Sequence, residues 1–484
     1  MVVVWVAVFV VLGVWRHERF ATHGFDIGIY DQAAWLLSRF RSFMTVRGLD
    51  VFGHHMTPIF AVFAPFYWLG AGPVFLLVVQ VVAQASGAAA VFLLARDRLG
   101  ARWPAVALAG ALLLHPSYQF LAWEQIHPET LAIAPVLFAY WAARERRWPW
   151  FWLAAVLAIA CKEDVALAFV PIGLLIAAWG DRRRGLLVAA GAALWFLATT
   201  RLVLPLVNGL GPFYSGYFGD FGDDGGEVVR NIVAHPGRVW EVATRANRLD
   251  YYRMMLAPVA FLGAVGLPGF LVAVPMLAVN VLSSFPYAQE IQYHYSAMVV
   301  AGVILGTVEA VALLARTPAA RTLLVGLVVA TSLGATVAWG PSPIGVRFRS
   351  GIWALETDER TAARADAVAT VPDGASVSAS YNLVPHLTHR PNVYEWPVPW
   401  RAGNWGVRGE NLHDPADVDW IVVEQALLDR DGTELLDRLL AGEFALRFER
   451  EGLLVAQRLR PAAPPPLAAP IPAATAARAP GPVG

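Results

Sequence analysis

The chain reads as a mainly α-helical polytopic membrane protein of about eleven spans with a small α/β domain at its C-terminal end. Three observations predict this class. Hydrophobic residues make up 57% of the 484 and charged residues 15%, against roughly 45–50% and 25% in globular chains, and mean hydropathy is +0.51. Apolar windows near the roughly 20 residues that a spanning helix needs recur from the first residue to about residue 340. Beyond Gly340 those windows shorten and charge rises, so a second unit starts near residue 345.

The expected spans are 1–15, 72–95, 104–119, 128–143, 148–161, 164–180, 185–205, 254–267, 269–285, 294–315 and 321–340. The first lacks a basic leader and a small-residue cleavage site, so it is expected to stay as an anchor. Arginines sort the loops. Arg96, Arg98 and Arg102 share one short loop, Arg144, Arg146 and Arg147 the next, Arg182 to Arg184 a third, and Arg316 and Arg321 a fourth. By the positive-inside rule these four are cytoplasmic. The remaining segments, rich in His, Asp, Glu, Tyr and Trp, then face outward, as does everything after residue 340.

The domain boundaries expected are 1–340 for the membrane bundle, 345–460 for an extracytoplasmic α/β domain, and 461–484 for a disordered Ala/Pro-rich tail. Within the second, 354–370 and 433–441 carry helical patterns. Residues 376–380 and 420–424 look like strands, and 444–457 like a hairpin around Glu451-Gly452.

Balanced charge, 37 basic against 37 acidic residues, removes the electrostatic case for a nucleic-acid partner. A single cysteine, Cys161, excludes a disulfide framework and a cysteine-ligated metal site. The basic residues are arginine except for Lys162, which stands beside that cysteine.

Four outward segments hold chemistry-bearing residues. The first loop contains His23-Gly24-Phe25-Asp26-Ile27-Gly28-Ile29-Tyr30-Asp31-Gln32. Asp26 suits a helix N-cap and Asp31 a first-turn acid; either carboxylate also suits a general base for an acceptor hydroxyl. Five residues apart they stand about 140° round a helix, so at most one serves as that base. The loop continues through Arg47 to His54-His55. Adjacent histidines chelate poorly on their own, so a divalent metal there needs carboxylates from elsewhere, and contact with a phosphate or sugar beside Arg47 is the other reading.

In Trp123-Glu124-Gln125-Ile126-His127-Pro128-Glu129, Pro128 and Glu129 fit the first turn of a helix, leaving Glu124 and His127 at the mouth of the bundle. The Cys161-Lys162-Glu163-Asp164 turn joins two apolar runs of only about 14 to 17 residues, roughly 21–25 Å of helix. Such runs fall short of a 30 Å core, so the turn lies below the outer surface, where ionisable groups mark function. A self-neutralised ion cluster is the competing account. Finally Tyr293 and His294 follow aromatics of an interfacial belt, with sugar or lipid-head contact as the sharper reading.

Together FDIGIYDQ, VRGLDVFGHHMTPI, EQIHPE and CKEDVAL resemble a bacterial and archaeal polytopic family, domain of unknown function 2079. The resemblance covers about residues 20 to 460. That family is similar in turn to the GT-C glycosyltransferases, which take sugars from polyprenyl phosphates and use an acid in the first outer loop. The resemblance implies a GT-C-like bundle in the cell membrane with Asp26 as candidate base and Asp31 second. Its expected partners are membrane lipid, a polyprenyl-phosphate-linked sugar donor and an acceptor that the sequence does not name. Arg47, His54, His55, Glu124, His127, Lys162, Glu163, Asp164, Tyr293 and His294 are the expected substrate contacts. No cofactor is required by the sequence, and the loop donors are compatible with a divalent metal. The alternative expectation is a non-enzymatic transporter or scaffold for a lipid-linked or envelope component.

Overall fold

The computed structural model describes residues 1–209, 213–402 and 413–459; the expected tail over 461–484 lies outside them. Among the described residues, Pro73–Leu99, Arg182–Asn208, His294–Leu314 and Pro318–Trp339 are each long and apolar enough to cross a membrane. Arg102–Leu114 and Pro116–Trp123 meet the same condition only together, as a pair bent by 52° at Pro116, whose ring cannot donate to the helical ladder.

Other expected spans form helices of fewer than 18 residues. Val2–Glu18 and Pro128–Arg144 have 17 residues each, Trp148–Ile159 has 12 and Ala166–Ala178 has 13. The last two run for roughly 18–20 Å, so the turn between them stops short of the full core thickness. Expected spans 254–267 and 269–285 are broken into Leu262–Val265, Leu267–Phe270 and Val274–Leu282.

The break has a packing reason. Pro258, Pro268 and Pro275 remove backbone donors, and the intervening glycines bring main chain against main chain. A Cβ at Gly266 would sit 1.8 Å from the Gly306 carbonyl oxygen, and one at Gly269 2.2 Å from the Leu305 carbonyl carbon. Small residues permit such approach where lipid supplies no hydrophobic drive between helices. His294–Leu314, 83% buried across its apolar window, becomes the central helix. Gly173 and Gly185 do the same for Ala166–Ala178 and Arg182–Asn208: their Cβ atoms would fall 2.4 Å and 2.3 Å from the Ala189 and Ala177 nitrogens.

All four arginine-bearing loops meet at one end. Arg98 and Arg144 lie 2.8 Å and 3.5 Å from Glu309, Arg321 donates to the Leu99 carbonyl at 2.8 Å, and Arg146 to that of Trp179 at 3.0 Å. Pro128–Arg144 carries Glu129 at its other end, and the chemistry-bearing turns gather there.

At that second end the chain forms a short antiparallel pair, β1 (Phe43–Met44) and β2 (Leu49–Asp50), and a five-stranded mixed sheet. The sheet strands are β3 (Val377–Ala379), β4 (Val393–Glu395), β5 (Trp420–Glu424), β6 (Phe444–Arg450) and β7 (Leu453–Arg458), in the order β4-β3-β5-β7-β6. β3 is parallel to both neighbours, and β7 is antiparallel to β5 and β6. Alternation along the strands splits the faces. Ile421, Val423, Leu454 and Ala456 bury against Leu435, Leu436 and Leu439 of helix Arg430–Gly442. Val422, Leu453 and Val455 join the main core with Ala363 and Ala367 of helix Glu359–Ala369. The hairpin turn at Glu451-Gly452 has φ of 52° and 75°, as a tight left-handed turn requires.

The segment after β3 is fastened to the first outer loop. Tyr381 accepts from the Gly24 amide at 2.7 Å, and the Thr45 hydroxyl both donates to the Val393 carbonyl at 2.8 Å and accepts from its amide at 2.9 Å. Gln32 donates to the Arg390 carbonyl at 3.3 Å. The acidic stretch Gly219 to Glu227 is tied down. Asp220 binds Arg238 and Arg245 at 2.6 Å each, and Asp224 caps helix Gly225–Ala234 through two amides.

Candidate functional site

The turns expected to face outward converge on one cavity of about 330 Å³. Its polar half is formed by Asp26, Arg47, His54–His55, His127, the Lys162 to Asp164 turn and His294. Its apolar half comes from Leu167, Phe196, Phe218, Met276, Val279 and Phe285 on the later helices. Such a lining can take a ligand that carries both charged and apolar groups.

Asp26 lies in a π-helical turn, Gly24–Gly28, ahead of helix Ile29–Leu37, and makes no cap bond. Its carboxylate stands 3.5 Å from His127 Nε2 and 3.5 Å from the Gln125 amide nitrogen, and its side chain keeps 27% exposure. A carboxylate that is oriented and still reachable suits proton abstraction. Asp31 has the opposite environment. Fully buried, it accepts from the Tyr67 hydroxyl at 2.6 Å and from Thr388, and pairs with His389 at 3.1 Å. It fastens the 388–389 segment to the bundle and does not line the cavity.

The Lys162 turn is a dense ion cluster. Lys162 is bonded to Glu129 and lies 3.3 Å from Asp164, while Glu163 accepts from the Met56 amide at 2.9 Å and pairs with His55 at 2.9 Å. Burial works against the ammonium, but the charges of Asp164, Glu129 and Glu163 outweigh it and hold Lys162 protonated well above its usual range. Arg47, 1% exposed, lines the cavity and lies over the Phe25 ring at 5.5 Å.

Glu124 sits directly behind His294, Oε1 to Nδ1 2.8 Å, and the His294 ring stacks on His127 at 3.9 Å. Burial, then the charges of Asp26 and Glu129, push the Glu124 carboxyl well above the ordinary carboxylate range. Glu124, His127 and His294 form a group able to hold a metal ion, with donor atoms all within 4.8 Å of one another. The adjacent pair does not make a separate metal cluster: His55 is committed to Glu163, and its ring lies 4.3 Å from that of His54.

Of the residues singled out from sequence, Asp26, Arg47, His54, His55, His127, Lys162, Glu163, Asp164 and His294 line one cavity, and Glu124 backs it. Asp31 does not join them. Neither does Tyr293, whose ring packs on Tyr287 at 4.9 Å. Sequence reasoning missed Glu129 as a site residue by giving it wholly to the helix dipole. It also missed Gln80, a buried polar residue in an apolar helix, which holds the 124–127 turn by accepting from the His127 amide at 2.7 Å.

The family described as "Predicted membrane protein (DUF2079)" matches residues 16–455. Among solved structures, ArnT from Cupriavidus metallidurans bound to undecaprenyl phosphate is similar at TM-score 0.52 and 18% identity, over 96% of this chain and 99% of that one. The same protein in its apo state gives TM-score 0.49 and 16% identity, over 94% and 97%. The first match establishes an ArnT-like, GT-C-type membrane fold with the small sheet region at the C-terminal end. No curated protein matches the chain.

Proposed function

We propose that this chain, which belongs to the DUF2079 family of predicted membrane proteins, transfers a sugar from a polyprenyl-phosphate donor to an acceptor at the outer face of the membrane. The observation that carries the reading is the mixed lining of one cavity: Asp26, Arg47 and Lys162 share it with a set of apolar side chains. A lipid phosphate is matched by that lining in both charge and apolar character. The ArnT likeness adds that this fold accommodates undecaprenyl phosphate in a related architecture.

In the reaction proposed, Asp26 takes the proton of an acceptor hydroxyl as its oxygen attacks the anomeric carbon. The bond from that carbon to the phosphate oxygen breaks with inversion, and the lipid phosphate leaves with the electron pair. Arg47 and Lys162 stabilise the charge that develops on the leaving group. Glu129 and Asp164 hold the ammonium in place, and Glu163 orients His55 toward the headgroup. The sheet region, spanning about 345–460, forms a second domain that shapes acceptor access through its junction with the first outer loop. With the arginine loops on the cytoplasmic side, this domain and the cavity mouth are extracytoplasmic.

The test is transfer of radiolabelled sugar from a panel of polyprenyl-phosphate donors by purified protein in liposomes. The reading expects turnover that Asp26→Asn lowers by about 10²–10⁴-fold. Turnover unaffected by that change removes Asp26 as base. Absence of turnover with every donor, together with solute or lipid flux, assigns the cavity to transport.

A further inference from the structure

We infer that Glu124, His127 and His294 form a divalent-cation site of the zinc type, set into the wall of the cavity with one coordination position facing it. Glu124 and His127 are 5% and 4% exposed, and each ends in an orphan. Glu124 Oε2 and His127 Nδ1 are buried without a hydrogen-bond partner among the described residues, as is Glu129 Oε2 beside them. Buried polar atoms are normally satisfied. Glu124 and His127 thus each keep an unpaired buried atom and share with His294 one close set of donors, and imidazoles with a carboxylate call for a cation.

The geometry fits a small ion after modest closure. Zinc binds imidazole and carboxylate at about 2.0–2.1 Å, which sets tetrahedral donors about 3.3 Å apart. The three donor atoms lie within 4.8 Å of one another, so side-chain torsion closes the difference. The ion would replace the 2.8 Å bond between His294 and Glu124 and open the stacked imidazoles. Two imidazoles with one carboxylate select zinc-like metals over magnesium or calcium, which prefer all-oxygen sets.

The surroundings are those of a prepared site. Gln80 accepts from the His127 amide at 2.7 Å, donates to the Leu121 carbonyl at 2.9 Å, and also donates to the Gln125 carbonyl. Gln125 itself holds φ of 82°, a left-handed conformation that a side-chain-bearing residue keeps only when its neighbours enforce it. With Nδ1 turned to the ion, His127 presents Nε2 to Asp26 at 3.5 Å. A carboxylate behind a ligating imidazole fixes its tautomer and raises its basicity. His127 and His294 line the cavity, so the open position reaches whatever oxygen ligand enters.

This site does not depend on sugar transfer, and its test reads metal alone. Full-length protein purified in detergent without chelator is analysed for bound metals. It is then stripped with EDTA and titrated with Co²⁺ while the visible ligand-field spectrum is followed. The expected result is one zinc retained per chain and, after stripping, tetrahedral cobalt bands that saturate at one equivalent. His127→Ala and His294→Ala should abolish both signals, and His235→Ala, an exposed histidine, should leave them intact. Asp26→Asn should weaken the metal about 10–100-fold, as loss of an outer carboxylate does. Wild-type protein that retains no first-row metal and gives no cobalt bands overturns the site, as does full retention in both histidine variants.

Discussion

Replacing Lys162 by Met separates an ion cluster that only holds the fold from one that also binds a phosphate. The lysine is 6% exposed, bonded to Glu129 and 3.3 Å from Asp164. Removing it leaves the buried Glu129 carboxylate and the half-buried Asp164 carboxylate uncompensated, and breaking a buried pair from one side costs about 3–5 kcal/mol. A second variant, Lys162→Met with Glu129→Gln, removes both members of the buried pair and leaves only Asp164, which keeps 24% side-chain exposure. Replacing a whole buried pair is often close to neutral, so the double variant should regain about 2 kcal/mol or more over the single. Stability is read by denaturant titration in fixed micelles, and polyprenyl-phosphate binding by calorimetry on the same preparations. Binding should stay at least about tenfold weaker, or about 1.4 kcal/mol, in the double variant although its stability has returned. Recovery of both would make the cluster purely structural. A Lys162→Met cost below about 0.5 kcal/mol, the level of an ordinary surface change, would refute the burial argument altogether.

Other expectations follow from the same contacts. Asp31→Asn should cost about 1.5–3 kcal/mol, the worth of hydrogen bonds to a charged group, because Tyr67, Thr388 and His389 lose their anion. It should expose residues 381–393 to protease and leave the cavity chemistry intact in the folded fraction. Gly266→Ala should destabilise by at least about 1–3 kcal/mol, given a Cβ 1.8 Å from the Gly306 oxygen. Gly326→Ala, which meets nothing within 4 Å, should be neutral in the same thermal melt. In the sheet domain, burial opposes the Glu424 charge, but bonds from Arg364 and Asn382 outweigh it and hold the carboxyl below its usual value. A depressed acid contributes stability above its unfolded pKa of about 4.3 and loses it as pH falls through the folded value. Unfolding of this domain, followed between about pH 6 and pH 3, should show that acid-side loss in wild type and a shallower one in Glu424→Gln.

Much of the site was legible because membranes make charge expensive. Asp26, His54, Lys162, Glu163, Asp164 and His294 stood out as ionisable residues between apolar runs, and they share one cavity. The shortness of the two runs flanking Lys162 was legible too, and the helices there have 12 and 13 residues. What sequence could not supply was which acid meets which base. Asp26 and Asp31 look alike five residues apart, and only contacts with residues near 125 and near 388 separate a reachable carboxylate from a structural one. Glu129 was hidden because a first-turn acid beside a proline has a sufficient local explanation. The broken segments 254–285 misled because periodicity registers apolar length and does not register the glycine contacts with Gly302 and Gly306. In the C-terminal region, the strand patterns and the Glu451-Gly452 turn located β3, β5, β6 and β7, whereas β4, three residues set between Pro391 and Pro397, did not register.

The fastening of the first outer loop to residues 381–393 also dictates an order of manufacture. Gly24, Asp31, Gln32 and Thr45 leave the ribosome early, yet their partners Tyr381, Thr388, Arg390 and Val393 are made more than 300 residues later. At about 5–20 residues per second, the loop waits tens of seconds with its polar groups open. Glu124 likewise waits for His294. The first loop is therefore fixed last, from its C-terminal side, and a nascent chain halted before residue 381 would carry every residue that lines the cavity and still lack the contacts that anchor the loop bearing Asp26.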